Sequence, residues 1–179
     1  NIDWATILRE AGAHVITDKA EHKLHSKVCL ITRREKGQKI YYGCIGTGNL
    51  HEKTARIYTD AQLFTCNQLV TKEARQIFSF FEKNYSVPKF SQLMVAPFNL
   101  RSKLNTLINR EIRHAKAGKK AEIFLKLNNL VDEEVIEKLY AASKAGVKIR
   151  MIVRGICSLV PGMPGYSENI EAISIVDKF

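Results

Sequence analysis

Apolar positions along the chain follow two spacings that take turns from one end to the other. Trp4, Ile7, Leu8 and Ala11 lie three or four residues apart. That spacing predicts a short helix over residues 3–11, capped by Asp3 and ended by Gly12 in a left-handed conformation. Ala13 to Ile16 reads as a strand, and a polar stretch follows from Thr17 to Lys23. Leu24 to Thr32 alternates, with Val28, Leu30 and Ile31 favouring a strand, and Ile40 to Ile45 returns as its partner. The charged segment from Arg33 to Lys39 carries one glycine and reads as the hairpin loop between them, and Gly46 to Asn49 as a tight turn. Helical spacing resumes with Ala74, Ile77, Phe78 and Phe81, predicting a helix over 71–83 that Thr71 can cap.

Past Tyr85–Ser91, a Pro-containing linker, Leu93 to Ala96 reads as a short strand stopped by Pro97. Leu104, Leu107, Ile108 and Ile112 give the apolar side of a basic helix over 100–117, closed by Gly118. A strand over 121–127 comes next. Asp132 caps a helix reaching Ala145, with Glu133 and Glu134 at the positive end of its dipole. Strands over 147–153 and 170–176 complete the pattern. Strands alternating with helices predict an α/β protein with mixed sheets. One short echo runs through it. Leu8 to Ile16 and Ala141 to Ile149 each read as a helix end, an Ala-Gly pair and a strand, which fits two related α/β halves. The expected organisation is one domain over 1–85, a linker over 86–91, and a second domain over 92–179.

Composition narrows the class more than the chemistry. The 179 residues are 45% hydrophobic and 26% charged, which supports a packed fold and argues against wholesale disorder. No apolar run is long enough to span a membrane, and no leader pattern is present. The chain starts with Asn1 in a helix-like stretch and ends on a strand-like one, so the expectation is a piece of a larger protein. Cys29, Cys44, Cys66 and Cys157 lack metal-ligand spacing and read as reduced core thiols of a cytosolic protein. His14, His22, His51 and His114 show no paired spacing for a metal either. A net charge of +10 favours polyanionic partners: nucleic acid, acidic membrane or phosphates.

Three places can carry chemistry. His25-Ser26-Lys27 lies on a predicted strand, so alternation puts His25 and Lys27 on one face. A neutral imidazole is a nucleophile, and an ammonium two residues on can hold a phosphoryl oxygen. If 33–39 is a hairpin loop, the turn Gly46-Thr47-Gly48-Asn49 sits at the same sheet end. It offers backbone N–H groups, a hydroxyl and an amide, though it lacks the Lys-Ser/Thr of a P-loop. Arg154, after an apolar strand and before Gly155, is placed to reach a phosphate. The bland alternatives are solvated surface charges for His25, Lys27, Lys53, Arg56 and Arg154, and ordinary strand residues for Tyr58 and Phe64.

Several blocks together resemble one family. Leu24-His25-Ser26-Lys27-Val28-Cys29-Leu30-Ile31 is similar to the His-x-Lys strand of the bacterial polyphosphate kinases, which have a phospholipase D-like fold. The segments Tyr42 to Asn49, Glu52 to Asp60, Leu125 to Asp132, Leu139 to Ser143 and Val153 to Leu159 resemble successive blocks of that family in the same order. The resemblance implies parts of two related phospholipase D-like domains. It also implies reversible transfer of the terminal phosphate of ATP to polyphosphate through a phosphohistidine at His25. Tyr58 would stack on the adenine and Arg154 would bind phosphate. Lys27, Thr47 and Asn49 would line the same pocket. Mg2+ would arrive with ATP, its ligands mostly outside this chain. The implied partners are ATP or ADP and inorganic polyphosphate. The full-length form would be a homo-oligomer, with no DNA partner, cytoplasmic or peripheral to a membrane.

The resemblance places a second essential histidine beyond Phe179, so this chain alone is expected to be inactive. One position departs from the wider phospholipase D pattern: Thr32 stands where those enzymes carry Asp. Two alternatives stay open, a phospholipase D-like phosphodiesterase and a non-catalytic polyanion-binding module. Aromatic residues are 8% of the chain and sit largely at apolar-pattern positions, which disfavours base stacking by the second.

Overall fold

In the computed structural model, residues 3–17, 24–83 and 88–175 are described. The chain divides into two compact units, Asn1–Met94 and Val95–Phe179. Both are α/β, with one small sheet each. Among the described residues no helix is long and apolar enough to cross a membrane.

The first unit opens with α1 (Trp4–Glu10), where the Asp3 carboxylate accepts from the N–H groups of Ala5 and Thr6. Gly12 follows the helix at φ +88°. A hairpin then pairs β1 (Lys27–Glu35) with β2 (Gln38–Gly46), antiparallel, from Lys27↔Gly46 to Glu35↔Gln38. The connection is tighter than the charge pattern suggests. Only Lys36 and Gly37 turn, at φ 47° and 80°, the paired positive angles that match the twist of the two strands. After α2 (Glu52–Ile57), the strand β3 (Gln62–Thr65) joins the free side of β2. The helix α3 (Gln68–Lys83) packs on one face of this sheet, where Thr71 Cγ2 presses on the Gly43 backbone. Cys29, Ile31, Cys44, Tyr42 and Phe64 occupy the opposite face by strand alternation. That face is open among the described residues: Ile31 is 56% and Phe64 78% exposed.

The second unit holds α4 (Leu100–Lys116), β4 (Glu122–Leu127), α5 (Glu133–Lys144), β5 (Lys148–Val153) and β6 (Ile170–Ile173). Its three strands run parallel, with β5 in the centre. Ile149, Met151 and Val153 point alternately to the side where Ile108 of α4 and Ile136, Leu139 and Ala142 of α5 close the core. On the other side Phe124 is exposed, with the Arg150 guanidinium over its ring at 5.8 Å. Asp132 accepts from Val135 N–H at the start of α5 and also binds Arg101 of α4, tying two helices at one carboxylate.

Several expectations change. Each sheet is pure in direction rather than mixed, antiparallel in the first unit and parallel in the second. Ala13 to Ile16 forms no strand; a four-residue run needs a neighbour to complete its ladder, and none pairs with it among the described residues. The echo between the halves is therefore limited to the helix end and its glycine, Gly12 and Gly146, both at positive φ. Leu93 to Ala96 is not a strand either, because side chains take its donors: Leu93 N–H goes to Glu73 and Val95 N–H to Asn99. Thr71 lies inside α3 and is fully buried; the helix starts earlier, with Asn67 accepting from Leu69 N–H. The four cysteines are free thiols, as read, but not core ones: Cys29, Cys66 and Cys157 are exposed and Cys44 half-buried. Trp4, Phe64, Phe124 and Tyr166 are also exposed, so helical or strand-like spacing did not bury the aromatics as expected. His22, most of the polar stretch over 17–23, Asn84, the first linker residues 85–87 and residues 176–179 lie outside the described residues.

Candidate functional site

His25 stands two residues before β1 rather than on it. The two side chains nevertheless meet. Lys27 Nζ lies 3.1 Å from His25 Nδ1 and donates to the His25 carbonyl at 2.6 Å. One ammonium thus holds both the ring and the backbone of an exposed histidine. Lys27 itself is fixed by its register partner Gly46, the last residue of β2.

Gly46 begins the loop that returns to β3, and Gly46 pairs with Gln62 where that loop ends. The loop is closed at its base by Thr47, whose N–H donates to Ala61 C=O at 3.1 Å. The Thr47 hydroxyl donates to Asp60 at 2.9 Å and accepts from Ala61 N–H at 3.0 Å. Gly48 is glycine for a steric reason, since a Cβ there would collide with the Asp60 carboxylate. Asn49 is exposed, with its carbonyl taking His51 N–H at 2.8 Å. His51 Nδ1 then accepts from Thr54 N–H as the cap of α2. Tyr58 ends α2 and is 44% exposed.

The structure therefore brings His25, Lys27 and Thr47 to one end of the antiparallel sheet. Asn49 and Tyr58 ride on the loop that this end carries. The Thr47 hydroxyl is engaged at the loop base on both sides, by Asp60 and by Ala61 N–H. Asp60 and Gln62 are not among the residues picked out by spacing, yet they shape the turn. Their signal was indirect: two glycines round Thr47 mark places where another side chain comes close.

Arg154 belongs to the second unit. It follows β5 directly, at the carboxyl end of the parallel strands, the edge at which open α/β sheets bind ligands. Its N–H donates to Leu127 C=O. The loops after β4 and β5 are laced together there. Gly155 N–H donates to Asn128 C=O at 2.7 Å, Ile156 N–H to Asn129 Oδ1 at 2.9 Å, and Leu130 N–H to Ile156 C=O at 2.8 Å. Gly155 has no room for a Cβ beside Asn129. Asn129 is thus a positioning residue that spacing alone did not mark. An arginine on a firmly held backbone at such an edge, and an imidazole held by an ammonium beside a closed glycine turn, are both suited to phosphoryl groups.

Comparison with known proteins identifies the class. Residues 1–87 match the family described as polyphosphate kinase C-terminal domain 1, and residues 93–179 match polyphosphate kinase C-terminal domain 2. The chain is 55% identical over all 179 residues to the polyphosphate kinase of Vibrio parahaemolyticus, and 49% to that of Escherichia coli K12. In each case it covers 100% of this chain and 26% of the relative. A crystal structure of polyphosphate kinase from Porphyromonas gingivalis superposes with a TM-score of 0.85 at 38% identity, over 96% of this chain and 29% of that one. The chain belongs to the bacterial polyphosphate kinase family and corresponds to its C-terminal region. It spans about a quarter of the length of the curated relatives it matches.

Proposed function

We propose that the whole protein transfers the terminal phosphate of ATP to inorganic polyphosphate, reversibly, with His25 as the residue that carries the phosphoryl group. The observation that supports this most is the contact of Lys27 Nζ with His25 Nδ1 at 3.1 Å. Phosphoryl transfer asks mainly for positioning and charge neutralisation. Lys27 orients the imidazole and stands where it can turn toward the oxygens of an incoming phosphoryl group. As it turns, Nδ1 becomes free to hold the ring proton and Nε2 to offer its lone pair. A histidine carrier divides a transfer between two polyanions into two steps, so their mutual repulsion need not be met at once. A net charge of +10 suits both substrates.

On this reading Tyr58 stacks on the adenine and Arg154 binds phosphate. Thr47 acts by holding the turn, and Asn49 offers an exposed amide beside it. The two units are assigned to successive phospholipase D-like domains, 1–85 and 92–179, and the full-length protein to a homo-oligomer. Magnesium would accompany ATP as charge neutraliser. Among the described residues no three His, Cys, Asp or Glu side chains cluster to hold a metal, so no ligand for it is assigned in this chain.

Full-length protein incubated with γ-labelled ATP should acquire acid-labile, alkali-stable label. His25→Ala should abolish it. Label that persists in His25→Ala would overturn the assignment of the carrier.

A further inference from the structure

Cys29 and Cys44 face each other directly across β1 and β2. Their position in the ladder can be read from two ends. The two-residue turn makes Glu35↔Gln38 a hydrogen-bonded pair, and counting back by alternation makes Cys29↔Cys44 one as well. Tyr41 agrees independently. Its N–H and C=O are both taken by the Gln68 side chain, so Thr32↔Tyr41 is a non-hydrogen-bonded pair, three rows away. Opposed residues of the hydrogen-bonded kind have Cα atoms about 5.5 Å apart, within the ~4.4–6.8 Å range that disulfides bridge, and closure has to draw their Cβ atoms in from about 5.5 Å to the ~3.5–4.5 Å that a disulfide takes. Both side chains point to the sheet face not covered by α3, and Cys29 is exposed.

The pair also touches the candidate site through one side chain. Cys44 Sγ donates to Gln62 Oε1 at 3.2 Å, and the same Gln62 amide lies over Gly46. Gly46 is the register partner of Lys27. Lys27 in turn holds His25. Any reaction that turns Cys44 toward Cys29 releases Gln62 from its thiol, in the same row of the sheet as the lysine that orients the histidine.

We propose that Cys29 and Cys44 form a reversible oxidation site, a cross-strand dithiol closed to a disulfide by a peroxide. The exposed Cys29 thiolate attacks one peroxide oxygen, giving a sulfenic acid and releasing water once the leaving hydroxide is protonated. The Cys44 thiolate attacks the Cys29 sulfur and displaces a second water. In sum, two thiols and one H2O2 become one disulfide and two waters; the sulfurs lose two electrons and the peroxide gains them. A thiol reductant reverses the bond. That this closure slows loading of His25 rests on the phosphohistidine reading above; the bond itself does not.

The test uses full-length protein treated with hydrogen peroxide, blocked with an alkylating reagent, digested and read by mass spectrometry. The expected product is a Cys29–Cys44 linked peptide lighter by two hydrogens, lost on dithiothreitol and missing from Cys29→Ser and Cys44→Ser. Cross-linking of either cysteine to Cys66 or Cys157 instead, or two freely alkylated thiols after oxidation, overturns the proposal. Labelling by γ-labelled ATP separates the two readings. Oxidation should diminish label in the parent protein and leave it unchanged in the Cys→Ser variants. Equal label before and after a confirmed cross-link refutes the coupling. Absence of label in fully reduced protein refutes the phosphohistidine reading and leaves the disulfide result standing.

Discussion

Among the described residues Glu73 is the most sharply perturbed group, and it holds the segment that leads out of the first unit. It lies on α3 and is only 7% exposed. One carboxylate oxygen accepts from Ser91 N–H at 2.7 Å, Ser91 O–H at 2.6 Å and Gln92 N–H at 3.0 Å. The other accepts from Gln92 N–H at 3.0 Å and Leu93 N–H at 2.8 Å. Burial pushes the carboxyl up, but the donors of Leu93, Ser91 and Gln92 outweigh it and bring it down from 4.5 to about 2. At ~1.36 kcal/mol per pKa unit, that gap corresponds to about 3 kcal/mol in favour of the folded segment. A depressed carboxyl stabilises fully above its unfolded value near 4.5, and the contribution is lost as pH falls toward about 2. Glu73→Gln removes the charge and turns an N–H₂ toward one set of N–H donors. At neutral pH the substitution should lower stability by about 3 kcal/mol, within the usual loss for a buried charge-assisted network. Amide exchange read by mass spectrometry over residues 88–95 should quicken by about 100-fold at pH 6 if opening is local. Urea midpoints of wild type and Glu73→Gln should converge as pH drops from 4.5 toward 2. Parallel stability curves across that window, or unchanged exchange at Ser91 to Leu93, would refute the reasoning.

Other outcomes follow from single contacts. Gly48→Ala forces Asp60 aside and so loosens the Thr47 clamp; it should cost about 1–3 kcal/mol by overpacking and weaken His25 labelling together with it. Leu139→Ala empties a fully buried position in the core of the second unit, and thermal unfolding should report a loss of about 2–5 kcal/mol. Asp132→Ala removes both the cap of α5 and the Arg101 bridge, so amide exchange at Val135 should rise while that at Met151 stays slow. Gly155→Ala has to displace Asn129 from Ile156 N–H, and calorimetric titration with short-chain polyphosphate should show weaker binding by the whole protein.

The long helices are legible in the sequence and the short α2 is not, since six residues carry too little spacing to show and Tyr58 closes that helix instead of lying on a strand; helix ends are nevertheless more legible than strands, and the reason is physical. A helix satisfies its own backbone, so Asp3, Asp132, Gly118 and Gly146 mark ends that the structure keeps. A strand needs a partner that the local pattern cannot see. Residues 13–16 and 93–96 have strand-like composition, yet one run pairs with nothing described and the other gives its donors to Glu73 and Asn99. Likewise, spacing could place His25 near Lys27 and both near Gly46, because alternation and a hairpin are local rules. It could not show that the Thr47 hydroxyl is already engaged, since Asp60 lies 13 residues away in the chain.

Local spacing and composition already carry the alternation of elements, the basic balance, the His25–Lys27 neighbourhood and, through long blocks in register, the family. Which polar atoms are engaged and which surfaces are bare is settled by packing. The Glu73 carboxylate reaches across 18 to 20 residues, Gln62 lies over Gly46, and the cysteines stand at the open face of a sheet instead of in a core. Of the cysteines it is Cys29 and Cys44 that share that face. Those facts depend on contacts between segments distant along the chain, and no local spacing carries them. Spacing sets where a side chain can point, while packing sets what it meets there.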